Sequence, residues 1–260
     1  MFGVQCSLKW RCPMKKNRKK TRELYRQVAK QGGLTPTRQE DVAQAAGLRG
    51  YSTDQIEGVP EEAVRMGLGC GNPAAIAELK PGQVVLDLGS GGGLDVFVAA
   101  RKVGPTGKAI GVDLTVELVE KARRFSAEAG YENVEFHVGQ IENLPVASES
   151  IDVVISNCVI NHSSDKTSVF REARRALKPG GRLCVSDLVV TAPPIEPNAP
   201  GMEVWADWLK VASGKDDYLE AMEQAGFTDV TVAAEQPYTG PGMIPALAGR
   251  IVSLHLTAQK

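Results

Sequence analysis

The chain has 260 residues, 30 basic against 31 acidic side chains for a formal net charge of -1, and a hydrophobic fraction of 43%. That balance carries no bias toward nucleic acid, and the length suffices for one α/β unit with a sizeable core and an appended region. No uninterrupted apolar stretch reaches membrane-span length and no apolar signal core follows Met1, so a cytoplasmic protein without a membrane partner is expected.

Lys9, Arg11, Lys15, Lys16, Arg18, Lys19, Lys20 and Arg22 form a basic block, and residues 1–20 read as a solvated leader. Residues 21–72 read as an N-terminal helical cover. In it, Thr21 to Gln31 is a helix ended by Gly32-Gly33, and Arg38 to Ala46 is a second stopped by Gly47. Tyr51-Ser52-Thr53-Asp54-Gln55 opens a short helical turn, and Pro60 with Glu61-Glu62 opens another that runs to about Met66.

From Gln83 onward strands and helices alternate. The strands are expected at 83–88, 109–113, 134–138, 151–156, 182–189, 228–234 and 251–258, with helices between them at 94–102, 116–129 and 166–176. This alternation predicts an α/β fold with a doubly wound, mostly parallel seven-stranded sheet. Residues 73–192 form its cofactor-binding domain, and residues 193–260 a C-terminal substrate-side region that completes the sheet. Pro193 to Pro200 reads as a loop leading into a helix that holds Trp205 and Trp208, which pack as core or as a pocket wall.

The most specific run is Val84-Val85-Leu86-Asp87-Leu88-Gly89-Ser90-Gly91-Gly92-Gly93-Leu94-Asp95. A β-branched apolar strand feeds a turn in which Gly89, Gly91 and Gly93 let a ligand touch backbone, and the helix after it presents free N–H groups. Asp113 closes the next strand about twenty residues later, where an acidic residue binds ribose hydroxyls. Asp87 stands before the first glycine, where a carboxylate accepts from an ammonium. That requirement matches the amino-acid end of S-adenosylmethionine better than the pyrophosphate of NAD.

Asp87-Leu-Gly-Ser-Gly-Gly-Gly93, Gly111-Val-Asp113 and Lys178-Pro-Gly-Gly181 resemble the successive motifs of class I S-adenosylmethionine-dependent methyltransferases, over roughly residues 72–190. Gly67-Leu-Gly-Cys70-Gly-Asn-Pro73, Gly139-Gln-Ile-Glu-Asn-Leu-Pro145 and Ser156-Asn-Cys158-Val-Ile-Asn161 more narrowly resemble the arsenite methyltransferase family. The resemblance implies a Rossmann-like fold, S-adenosylmethionine as cofactor, and adenine contacts from Gln140, Ile141 and Glu142. It places Leu114, Asn157 and Ser90 in the cofactor site beside Asp87, Asp113 and the glycines.

There are five cysteines: Cys6, Cys12, Cys70, Cys158 and Cys184. An odd count without an export signal argues for thiols and against a disulfide framework. Cys158 falls just past a strand, at the carboxyl edge where open α/β sheets bind ligands, and the glycines around Cys70 bring that residue over the same edge. Two soft thiolates there suit As(III) as substrate. Cys184 lies inside a strand and reads as a small hydrophobe. The family places further cysteines where this chain has Val211-Ala-Ser-Gly214 and Gly33-Leu-Thr-Pro-Thr37. With two thiols left, methylarsonous acid becomes a candidate substrate beside arsenite, unless Cys6 or Cys12 adds a third.

The implied chemistry is direct displacement, in which the enzyme contributes proximity and orientation, and the partner is a small molecule, including a thiol-bound arsenical. His162, beside Asn161, reads either as a general base toward a hydroxyl or thiol substrate or as a surface cap or pocket-rim residue. Two alternatives stay open: a methyltransferase acting on carbon, oxygen or sulfur of an organic molecule, and a non-catalytic protein that binds the cofactor or a thiophilic ion.

Overall fold

A computed structural model describes residues 23, 25–27, 29–30, 46–47, 49–191, 205, 209, 212–239 and 243–260. The basic leader, Cys6, Cys12, residues 38–45 of the expected 38–46 helix, the 193–200 loop, Trp208 and Val211 lie outside the described residues.

Seven strands form one sheet: β1 (Val84–Leu88), β2 (Lys108–Asp113), β3 (Val134–Val138), β4 (Ile151–Asn157), β5 (Leu177–Val190), β6 (Thr228–Pro237) and β7 (Ile251–Gln259), in the order β3-β2-β1-β4-β5-β7-β6. The first five run parallel, and β7 enters antiparallel to both β5 and β6. The fold is therefore the doubly wound, mostly parallel sheet that the βα alternation indicates. Boundaries move by a few residues. The largest shift is β5, which starts at Leu177 and not Arg182 because Leu177 pairs with Ile151 across a register shift.

Short helices α1 (Thr53–Ile56), α2 (Glu61–Arg65) and α3 (Pro73–Ile76) precede the sheet, and α4 (Leu94–Val103), α5 (Val116–Glu128), α6 (Lys166–Ala176) and α7 (Lys215–Gln224) cross over it. Each strand sends alternate residues to opposite faces. On β1, Val85 joins a core with Val96, Phe97, Val119 and Phe125 from α4 and α5, while Leu86 and Leu88 join a core with Val169, Phe170, Tyr218 and Met222 from α6 and α7. Phe97 packs against Phe136 and Tyr131 with ring centroids 5.6 and 4.9 Å apart, and Phe170 meets Tyr218 edge-on at 5.4 Å. Full burial of each such ring contributes about 2–3 kcal/mol. Among the described residues no helix is long and apolar enough to cross a membrane.

Register fixes where the chemistry sits. Asp87 lies beside Gly111 on one side and Ile155 on the other, and Leu88 lies between Val112 and Ser156. The glycine turn after β1, Asp113 at the end of β2 and Cys158 after β4 are thereby delivered to the same carboxyl edge.

Candidate functional site

A cleft opens over that edge, lined by the glycine turn, Asp95, Asp113, Leu114, the Gln140-Ile141-Glu142 segment, Asn157 and Cys158. The turn is built to face it. Gly89 and Ser90 donate to the carbonyl of Val112 at 2.8 and 3.1 Å, which pins the turn to the neighbouring strand. Gly91 and Gly93 take φ of +53° and +96°, values that L side chains rarely adopt. A Cβ on Gly91 would meet nothing within 4 Å and would enter the cleft, whereas one on Gly93 would lie 2.8 Å from Phe97 and 2.9 Å from Phe136. Asp113 accepts the N–H of Gly91 at 3.0 Å and that of Thr115 at 2.8 Å, so the same carboxylate shapes the turn and borders the cleft.

Asp87 is 3% exposed and its Oδ1 has no hydrogen-bond partner. Burial, then the nearby carboxylates of Asp95 and Asp113, push its carboxyl well above the usual range. Asp95 and Asp113 are raised as well, again chiefly by burial. Three carboxylates converging with one orphaned oxygen form a site that is incomplete without a cation. S-adenosylmethionine carries an ammonium and a sulfonium, so the donor set fits it. Asp95 was not singled out from the sequence, although it stands in the first turn of α4. Its partners are remote: Tyr51 donates to it at 2.6 Å and Asn157 at 3.1 Å.

Asn157 borders the cleft, but protein groups surround its carboxamide. Nδ2 lies 2.7 Å from the Gly71 carbonyl and 3.0 Å from the Tyr51 hydroxyl, and Oδ1 accepts the Cys70 N–H at 3.0 Å. The Cys70 peptide is held from its other side by Ser253, whose hydroxyl donates to the Cys70 carbonyl at 2.9 Å. Ser253 in turn lies 3.3 Å from His255, which bonds Ser186 at 2.8 Å. This support under Cys70 spans 183 residues of sequence and no local pattern signals it.

Cys158 follows β4 in the left-handed region at φ +58°, with its N–H on the Ser186 carbonyl at 2.8 Å. A non-glycine residue held there costs about 1 kcal/mol or more, and such strain concentrates at functional turns. Here it directs the side chain toward Cys70. The two sulfurs are bonded to each other, with Cα atoms 5.9 Å apart across 88 residues. This corrects the expectation that both cysteines are thiols. The odd count speaks to redox compartment, while the contact comes from two turns converging at one edge. Around the pair, Leu188, Trp205, Leu209, Leu247 and Ile251 form a separate apolar cluster, and Trp205 packs edge-on to Tyr238 at 6.0 Å. Cys184 belongs to a different core; burial raises its thiol to about 11, as suits a small hydrophobe.

His162 ends a 3-10 turn, Ile160–His162, and lines the cleft 3.3 Å from the Tyr25 hydroxyl. Burial first and Lys166 second lower its imidazolium to about 4. It is therefore neutral near pH 7, and it sits inside the cleft and not on the surface.

A methyltransferase domain family matches residues 79–226. The arsenite methyltransferase of Halobacterium salinarum is 45% identical over 201 residues, which is 76% of this chain and 51% of that protein. That of Rattus norvegicus is 35% identical over 72% of this chain and 52% of that protein. The chain thus spans about half the length of these curated relatives. A crystal structure of the arsenic(III) S-adenosylmethionine methyltransferase from Chlamydomonas reinhardtii superposes with a TM-score of 0.63 at 32% identity, covering 84% of this chain and 72% of that one. The chain belongs to the class I S-adenosylmethionine-dependent methyltransferases, within the arsenite methyltransferase family.

Proposed function

We propose that the protein transfers a methyl group from S-adenosylmethionine to trivalent arsenic held by the reduced thiols of Cys70 and Cys158. The observation that carries this reading is the convergence of these two sulfurs at the rim of the cofactor cleft. A two-electron thiol reductant first opens the disulfide. Methylarsonous acid then condenses with both thiols, forming two As–S bonds and releasing two water molecules. Among the described residues the one other cysteine lies in a different core, so the pair suits a monomethylated arsenical better than an acceptor needing three thiols.

In this reading Asp87 and Asp95 take the cationic end of the cofactor, while Asp113, Leu114 and the 140–142 segment flank its nucleoside. S-adenosylmethionine, when bound, supplies an electrophilic methyl carbon for the arsenic lone pair. Thiolate ligation holds arsenic trivalent and electron-rich up to transfer, so no general base is required. Transfer would release S-adenosylhomocysteine and raise arsenic to the pentavalent level, with the thiol reductant supplying the two electrons that return it. Trp205 with its apolar neighbours keeps water from the thiol side. The remaining contribution is orientation, which accounts for several kcal/mol of a barrier. Incubation with labelled S-adenosylmethionine, a thiol reductant and either arsenite or methylarsonous acid tests the proposal. Labelled arsenical supports it; no labelled arsenical from either acceptor overturns it.

A further inference from the structure

We propose that the Asn157 carboxamide couples cofactor binding to the geometry of the acceptor thiols, by tying the Asp95 carboxylate to the peptide of Cys70. The inference rests on the reading above, in which Asp95 faces the cofactor and Cys70 the acceptor.

One amide group makes the connection. Its Nδ2 reaches Asp95 at 3.1 Å and the Gly71 carbonyl at 2.7 Å, while its Oδ1 holds the Cys70 N–H at 3.0 Å. The two sides of the link are therefore the cleft and the cysteine turn. There is no slack between them, since a Cβ on Gly69 would fall 2.2 Å from Nδ2. Tyr51 braces the arrangement by donating to Asp95 at 2.6 Å while lying 3.0 Å from Nδ2.

The direction of coupling follows from charge. Burial raises the Asp95 carboxyl, while the hydrogen bonds from Tyr51 and Asn157, and Arg49 nearby, lower it, so its charge leans on the two donors it fixes. Its two oxygens accept separately, Oδ1 from the Tyr51 hydroxyl and Oδ2 from the Asn157 amide, so the strength of this carboxylate as an acceptor sets how firmly both are held. A cation in the cleft favours the charged carboxylate further, which tightens both donors and fixes the Asn157 rotamer and the Cys70 turn. Cofactor binding organises the thiols, and by linkage closure of the thiols on an acceptor tightens the cofactor by the same factor.

The test uses reduced protein. S-adenosylhomocysteine, which keeps the ammonium, is titrated calorimetrically with and without prior loading by phenylarsine oxide, an As(III) reagent that takes two thiols. In wild type, loading tightens S-adenosylhomocysteine by about fivefold or more. In Asn157→Leu the factor falls to one whatever the affinity for either ligand alone, and Tyr51→Phe reduces it. Ser253→Ala removes the other anchor of Cys70 and keeps the factor.

A second arm is independent of arsenic. S-adenosylhomocysteine slows alkylation of Cys70 by iodoacetamide in wild type but not in Asn157→Leu, whereas steric shielding alone would persist in both. Should Asn157→Leu fail to fold, Tyr51→Phe carries both arms. A wild-type factor of one, a factor retained in Asn157→Leu, or an equal loss in Ser253→Ala overturns the coupling. Coupling that persists in a protein unable to methylate arsenicals would instead overturn the proposed function alone.

Discussion

Replacing Asp187 by asparagine makes the protein more stable relative to wild type as pH rises, and the size of the change follows from one buried carboxyl. Asp187 is 1% exposed and lies near the end of β5. It accepts the N–H of Asn161 at 3.1 Å and of Leu188 at 2.8 Å, and the Tyr218 hydroxyl at 3.1 Å. Burial outweighs these donors and raises the carboxyl to about 6. Relative to an ordinary carboxyl near 3.9, ionisation in the folded state is roughly a hundredfold harder, or about 3 kcal/mol. The folded protein keeps this proton up to about pH 6, while the unfolded chain releases it near pH 4. Wild-type stability therefore falls across that window through this group, and stays lower above it. Asparagine does not titrate. It also leaves one of the three donors facing an amide N–H, a pH-independent loss of about 1 kcal/mol or more that cancels in the slope. Urea denaturation at pH 4, 5, 6 and 7 should show variant stability rising against wild type by about 2 kcal/mol, the rest of the shift falling below pH 4. At about 2–4 °C per kcal/mol this is roughly 4–8 °C in melting temperature. A difference that stays flat from pH 4 to 7 would refute the reasoning.

Asp87→Asn should separate stability from binding: removing an unpartnered buried carboxylate stabilises the cofactor-free protein in thermal melts, while S-adenosylmethionine binds about 10- to 100-fold more weakly by calorimetry. Gly71→Ala places a Cβ 2.4 Å from the His255 ring and 2.8 Å from Ser186, so it should cost about 1–3 kcal/mol in denaturant unfolding and slow phenylarsine oxide uptake at Cys70. His162, with its imidazolium lowered to about 4, stays neutral from pH 5.5 to 8, so the methylation rate in that range should show no inflection that His162→Gln removes.

The sheet was legible because each strand carries its own signal. Val84 to Leu88 and Ile151 to Ser156 are apolar runs that hold whichever partners they meet, and the glycine turn between strand and helix defines its position locally. Strand ends were less legible, since Leu177 joins β5 only through Ile151 and Pro237 joins β6 only through Val252. Within the site, residues that stand in short motifs were found, while those that matter through distant partners were not. Tyr51 looked like the start of a helical turn, and its hydroxyl meets Asp95 44 residues away. His255 and Ser253 lie on the last strand and support a turn that precedes the first. The Cys70–Cys158 bond has no local signal for the same reason: composition describes the compartment, and only folding brings two turns together.

The most direct test is methyl transfer from labelled S-adenosylmethionine to methylarsonous acid by the reduced protein, alongside Cys70→Ser and Cys158→Ser. The account predicts labelled dimethylated arsenic from wild type, and none from either variant while both still bind S-adenosylhomocysteine. Full activity in a serine variant, or wild-type cofactor binding with no labelled arsenical, would contradict it.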